Sequence, residues 1–105
     1  MEKRWDISQV PNIHLNILER KKEIRNLIAR ANFEKAFKRL IDFADDFADN
    51  SHQSQVIIKS AEFNALIDDK MTGFLPYGEY KKYRNEIISN VLLLMDAIAD
   101  SYSDY

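Results

Sequence analysis

The chain has 105 residues, 46% of them hydrophobic and 11% aromatic, with a net charge of −2; this is one domain's length with enough apolar side chains for a packed core, which excludes wholesale disorder. Cysteine is absent, which excludes disulfides, thiolate metal sites and a Cys nucleophile. Only two Gly and two Pro occur, so long stretches lack punctuation and favour long helices over many short strands.

Residues 1–11 read as a flexible or loosely packed arm. The first helix is predicted over Asn12 to Ala31, with Ile13, Ile17, Ile24, Leu27, Ile28 and Ala31 on one stripe at 3.6-residue spacing. Pro11 is tolerated at its start, where the first N–H groups have no partner anyway. Arg20 falls inside the apolar arc, either as a snorkelling side chain at the bundle edge or as a contact residue. The second helix is predicted over Phe33 to Asp49, with Asn32 as N-cap. Its Phe, Ala, Leu and Ile residues occupy one half of the wheel and its charged residues the other. The third is predicted over Gln53 to Met71 and ends at Gly73, since Gly readily takes the left-handed conformation just past a helix end. Val56, Phe63, Leu66 and Ile67 form one stripe of it, while Ile57, Ile58, Ala61 and Ala65 lie to the other side. A helix apolar on two sides is central in a bundle or part of an interface. The fourth is predicted from Pro76 or Tyr77 to Tyr102, with Tyr80, Tyr83, Ile87, Val91, Leu94, Met95, Ile98 and Tyr102 on its core face. The connections are too short for parallel crossovers, so the expected fold is all-α, an antiparallel up-down four-helix bundle formed as a single domain over residues 1–105.

The stretch IRNLIARANFEKAFKRLIDFA (residues 24–44) has a helix ending in Leu-Ile, a short break, then an acidic-basic-Ala helix start. GFLPYGEY (73–80) leads into the last helix, Asn85-Glu86-Ile87 follows, and VLLLMDAI closes the pattern. In these features the chain resembles the effector-associated domains of bacterial conflict systems, specifically their eleventh type, over residues 22–100. It differs at Pro76 and Gly78, where the family prefers Ser and Glu, and at Glu86. The resemblance implies a helical adaptor without catalytic residues. It would bring sensors and effectors together by like-with-like contacts, with partners that carry peptidase, TIR, nuclease or NTPase modules.

The residues themselves offer little chemistry. His14 and His52 are far apart, and neither has a second His at i+4. In DFADDFADN (42–50) Phe and Ala interrupt the carboxylates at helical spacing, so no calcium loop forms. Ser51-His52 lies in a predicted turn without an oxyanion motif, and no GxGxxG or phosphate loop occurs. No catalytic residue, metal or cofactor is therefore expected. The start, MEKRWDISQ, is polar and does not read as a signal peptide. The longest apolar run, VLLLM, falls far short of the ~20 residues that span a bilayer. The expected compartment is the cytoplasm, with no membrane partner.

Charge is unevenly placed. Residues 1–40 hold ten Lys/Arg against five Asp/Glu, and residues 41–105 hold five against twelve. Arg20, Lys21, Lys22, Arg25 and Arg30 make helix 1 basic, with Lys3 and Arg4 before it. That is the footprint a nucleic-acid-associated regulator would need, but Glu19 and Glu23 interrupt it in an acidic chain. Asp42, Asp45, Asp46 and Asp49 fall within roughly a 100° arc, crowding what reads as the end of helix 2, where the macrodipole disfavours anions. These patterns make Arg20, Lys21, Lys22, Arg25, Asp42, Asp46 and Asp49 the candidate interaction residues, suited to head-to-tail self-association. An apolar alternative consists of Ile57, Ile58 and Leu93. The function expected is non-catalytic protein–protein contact with the same or a related helical domain. The alternatives are a nucleic-acid-associated helical regulator and a generic oligomerisation module.

Overall fold

The structure, a computed structural model, describes residues 12–103. The arm expected over residues 1–11 lies outside the described residues, as do the side chains of Ile13 and His14. Four helices form an antiparallel bundle, and no strand occurs among the described residues: α1 (Asn12–Ala29), α2 (Phe33–Phe47), α3 (Asn50–Met71) and α4 (Tyr77–Ser103).

Helix α2 is divided lengthwise into an apolar and a charged half, and it packs against each of the other three helices. Ala36, Phe37, Leu40, Phe43 and Ala44 are its buried residues. Helix α4 also touches all three others, whereas α1 and α3 do not pack on each other. The section is thus a rhombus, with α2 and α4 on the short diagonal and α1 and α3 at opposite edges. Leu40 and Phe43 of α2 meet Val56 of α3 and Val91, Met95 and Ile98 of α4 in one cluster of almost completely buried side chains. Each such side chain contributes about 1.5–3 kcal/mol relative to an exposed one.

The helix ends depart from the expected limits in two places. Helix α1 stops at Ala29, and Ala31 is exposed beyond it with φ +60°. The Ala31 N–H donates to the Ile28 carbonyl (2.9 Å) and the Asn32 N–H to the Leu27 carbonyl (2.9 Å). This is the Schellman ending, with Ala in the left-handed position that usually holds Gly. Asn32 is spent in closing that turn, and although it stands at the N-cap position of α2, its side chain caps nothing. The end of α3 is built the same way with the usual residue: Gly73, at φ +83°, donates to the Lys70 carbonyl, and Phe74 to that of Asp69.

The second departure is at the α2–α3 corner. Helix α2 ends at Phe47, only Ala48 and Asp49 connect it to α3, and α3 begins at Asn50 rather than Gln53. Asp49 is the N-cap of α3, its Oδ1 accepting the His52 N–H at 2.8 Å. Its carboxylate therefore faces the positive end of a helix dipole, not the negative end that the sequence suggested. Gln53 reaches back from the first turn of α3, and its Nε2 donates to the carbonyls of Ala44 (3.3 Å) and Ala48 (3.2 Å) at the end of α2.

The core faces of α1 and α4 need one correction each. Ala31 leaves the stripe of α1 because the helix has already ended. Tyr83 is exposed rather than in the core of α4, and the partly buried Arg84 continues the stripe from Tyr80 instead. Left-handed backbone costs an L-residue roughly 1–2 kcal/mol, and Gly gives part of that back through a more flexible unfolded chain. Replacing Ala31 with Gly should therefore raise the melting temperature by about 2–5 °C, whereas Ala31→Val should lower it. Thermal unfolding followed by circular dichroism tests this order of Gly above Ala above Val.

Candidate interaction surfaces

The charged residues singled out from the sequence are largely paired within the chain. Arg20, in the third turn of α1, lies across the end of α2. Its Nη1 donates to Asp46 Oδ2 at 2.6 Å. Its guanidinium carbon sits 5.7 Å from the Phe43 ring centre and 5.2 Å from that of Phe47. Phe47 packs edge-on to Phe43 (5.2 Å) and to Tyr102 (5.1 Å). The stem of Arg20 thus covers apolar surface while its head meets two ring faces and a carboxylate, which explains a cation inside an apolar arc.

The rest of α1 is laced to its neighbours in the same manner. Lys21 Nζ lies 2.8 Å and Arg25 Nη2 3.0 Å from Asp96 Oδ1 of α4. On the α2 side, Arg39 Nε donates to Glu23 Oε2 at 3.1 Å. Arg20–Asp46 and the Lys21/Arg25–Asp96 cluster both join the basic first 40 residues to the acidic remainder. The uneven charge along the sequence is partly neutralised when the chain folds on itself. Of the proposed charged sites, Lys22 and Asp42 are exposed and have no ion-pair partner among the described residues. Asp49 is occupied with its cap.

The apolar alternative is exposed: Ile57 at 60%, Ile58 at 54% and Leu93 at 67%. Helix α3 therefore buries a single face, formed by Val56, Phe63 and Leu66, and its second apolar side, with Ala61 and Ala65, faces outward. Leu93 lies in a shallow groove between α3 and α4 with Gln55, Lys59, Asn90 and Ala97; the two isoleucines do not line it.

A surface that the sequence reading did not find lies at the other end of the bundle. There the α1–α2 turn, the last turns of α3 and the first turns of α4 enclose a cleft of about 570 Å³. Phe33, Phe63, Tyr77 and Tyr80 wall it, with Lys70 and Arg84 among them and Glu34 at its edge. Phe63 packs against Phe33 (5.5 Å) and Phe37 (4.8 Å). Lys70 Nζ stands 4.6 Å from the Tyr80 ring centre, and the Arg84 guanidinium 5.4 Å from Phe33 and 5.7 Å from Tyr80. Arg84 donates to Asn85 Oδ1, and neither cation pairs with a carboxylate among the described residues. Periodicity placed Phe33, Phe63 and Tyr80 on core stripes, which hid their part in a cleft.

Among the described residues no group of three or more His, Asp or Glu side chains could hold a metal ion, and no helix is long and apolar enough to cross a membrane. His52 lies in the first turn of α3 beside its capping Asp49. The molecule is defined by its outer faces: a small helical bundle whose unspent side chains are exposed isoleucines, unpaired charges and an aromatic cleft. The family model for effector-associated domain 11 matches residues 19–99, and the chain belongs to that family. No curated protein and no solved structure matches the chain.

The geometry around Arg20 separates two contributions. Its ion pair with an exposed carboxylate contributes on the order of 0–1 kcal/mol, whereas the stem and the two ring contacts add about 1–2 kcal/mol. Arg20→Ala should therefore cost clearly more stability than Asp46→Asn in urea unfolding, and 0.5 M salt should erase most of the Asp46→Asn effect while leaving that of Arg20→Ala.

Proposed function

We propose that this chain is a non-catalytic adaptor of a bacterial conflict or immune signalling system, acting in the cytoplasm. It joins components by docking, helix against helix, on the same or a related domain carried by an effector such as a peptidase, TIR protein, nuclease or NTPase. The observation that carries this reading is membership of the effector-associated domain 11 family over residues 19–99. The surface is consistent with it, because large apolar side chains stay exposed on α3 and α4 after the bundle has closed. Contact between domains would draw on these side chains for affinity and on charge complementarity for orientation and on-rate.

In this reading the basic side of α1 (Lys21, Lys22, Arg25) meets the acidic side of α2 (Asp42, Asp46) and the adjoining α2–α3 corner (Asp49) of another copy. Four of these residues (Lys21, Arg25, Asp46 and Asp49) already hold partners within the chain, and exchanging surface ion pairs for intermolecular ones costs little, since each contributes only about 0–1 kcal/mol. Association is therefore modest and sensitive to salt.

The choice of variants follows from the geometry. Reversing Asp46 also breaks the Arg20 contact, and reversing Asp49 removes the cap of α3, so both disturb the fold. Lys22→Glu and Asp42→Lys change the same two faces without an intramolecular partner to lose. Each alone should weaken self-association in sedimentation at low salt by about two- to fivefold, and an equimolar mixture of the two should regain part of it. A monomer at millimolar concentration in low salt, or variants that associate like the wild type, would refute the charged-face contact.

A further inference from the structure

We propose that the cleft between the α1–α2 turn, the end of α3 and the start of α4 is a docking site for an acidic partner segment that carries an aromatic or aliphatic anchor. The assignment rests on the adaptor reading only for the choice of a protein occupant.

Three observations point to this chemistry. The volume of about 570 Å³ lies within the roughly 300–1,000 Å³ of clefts that bury a ligand group. Its walls are ring edges and faces, of which Phe63 and Tyr80 are buried and fixed by the core while Tyr77 remains exposed. An inserted apolar side chain therefore meets preformed surface, with little ordering cost. Lys70 and Arg84 stand over these rings with no carboxylate partner among the described residues, although carboxylates pair with Arg20, Lys21, Arg25, Arg39 and Lys59 elsewhere in the bundle. Two cations held over an aromatic wall complement an apolar anchor flanked by carboxylates. The α3–α4 connection adds Phe74, 83% exposed, as a further apolar contact at the same end of the bundle.

A nucleic acid fits the same cleft less well. Glu34 lies at its edge, leaving the lining one positive charge in excess, and on the adjoining turns Asp68, Asp69 and Glu79 balance Lys35, Lys81 and Lys82. Phosphate backbones need a broader basic track than this. Stacking of successive bases needs several open ring faces, whereas Phe63 and Tyr80 are buried and leave Tyr77 as the exposed ring of the lining.

The test uses the whole chain and a fluorescein-labelled peptide with the sequence of positions 42–49, DFADDFAD, chosen for its carboxylates and phenyl groups. The peptide should bind saturably, shift backbone amide signals within Asn64–Lys70 and Tyr77–Arg84, and lose roughly tenfold or more in affinity when its Asp residues become Asn. The double variant Lys70→Glu/Arg84→Glu should lose at least as much. Lys70→Gln/Arg84→Gln keeps stems over the rings and should lose an intermediate amount, at a melting temperature near that of the wild type. Absence of binding, shifts that map elsewhere, or affinities unchanged in both double variants would overturn the assignment. So would an oligothymidylate that binds these residues more tightly than the peptide. Capture of related effector-associated domains by the wild-type chain, measured in parallel, separates the two readings. Capture that both double variants retain, without peptide binding, leaves the adaptor role standing and removes the cleft; peptide binding at the cleft without any capture does the reverse.

Discussion

The apolar half of α2 is the constraint on which the rest of the bundle depends. All three other helices pack on this helix, a role it shares only with α4 at the other end of the short diagonal, and five of its residues are buried there. Phe37 reaches Phe63 of α3, Phe43 lies under Arg20 of α1, and Leu40 and Phe43 join the buried residues of α4 in one cluster. Because α2 and α4 approach each other across the short diagonal, α1 and α3 are left as edge helices with one buried face each.

The two edges are held differently. Helix α3 is attached by Val56, Phe63 and Leu66, by the Asp49 cap and by Gln53 bonding back to α2. Helix α1 contributes Ile17 and Ile24 to the core, with Ile28 packed against it, lays Arg20 over two rings of α2, and is further tied by the ion pairs of Arg20, Lys21, Glu23 and Arg25. These pairs are individually weak, and together they neutralise part of the basic charge of α1. The same side chains that orient α1 thus set the limits of the charged face that could dock elsewhere.

The number of helices, the antiparallel order and most of the buried side chains were legible from the 3.6-residue period, most clearly in α2, which keeps its apolar and charged residues on opposite halves. The ends were harder. Ala31 looked like a continuing helix because nothing in an Ala side chain announces a left-handed backbone. Asp49 looked like the close of α2 because the same residue type serves as a helix-surface acid and as an N-cap. Tyr83 and Arg84 exchanged places for a similar reason: periodicity ranks Tyr as core, whereas the rings of Phe33 and Tyr80 hold the Arg84 guanidinium. Ion-pair partners such as Arg25 and Asp96, 71 positions apart, carry no local signal at all. The aromatic cleft was invisible on the same grounds, since its walls come from three helix ends that only the fold brings together.

The central claim is that this domain works by holding another helical domain. Calorimetric titration of the purified chain against a panel of other effector-associated domains tests this most directly. The account predicts saturable binding to at least one of them at low ionic strength, weakening as salt is added. No binding to any of them, with every partner shown to be folded, would contradict it.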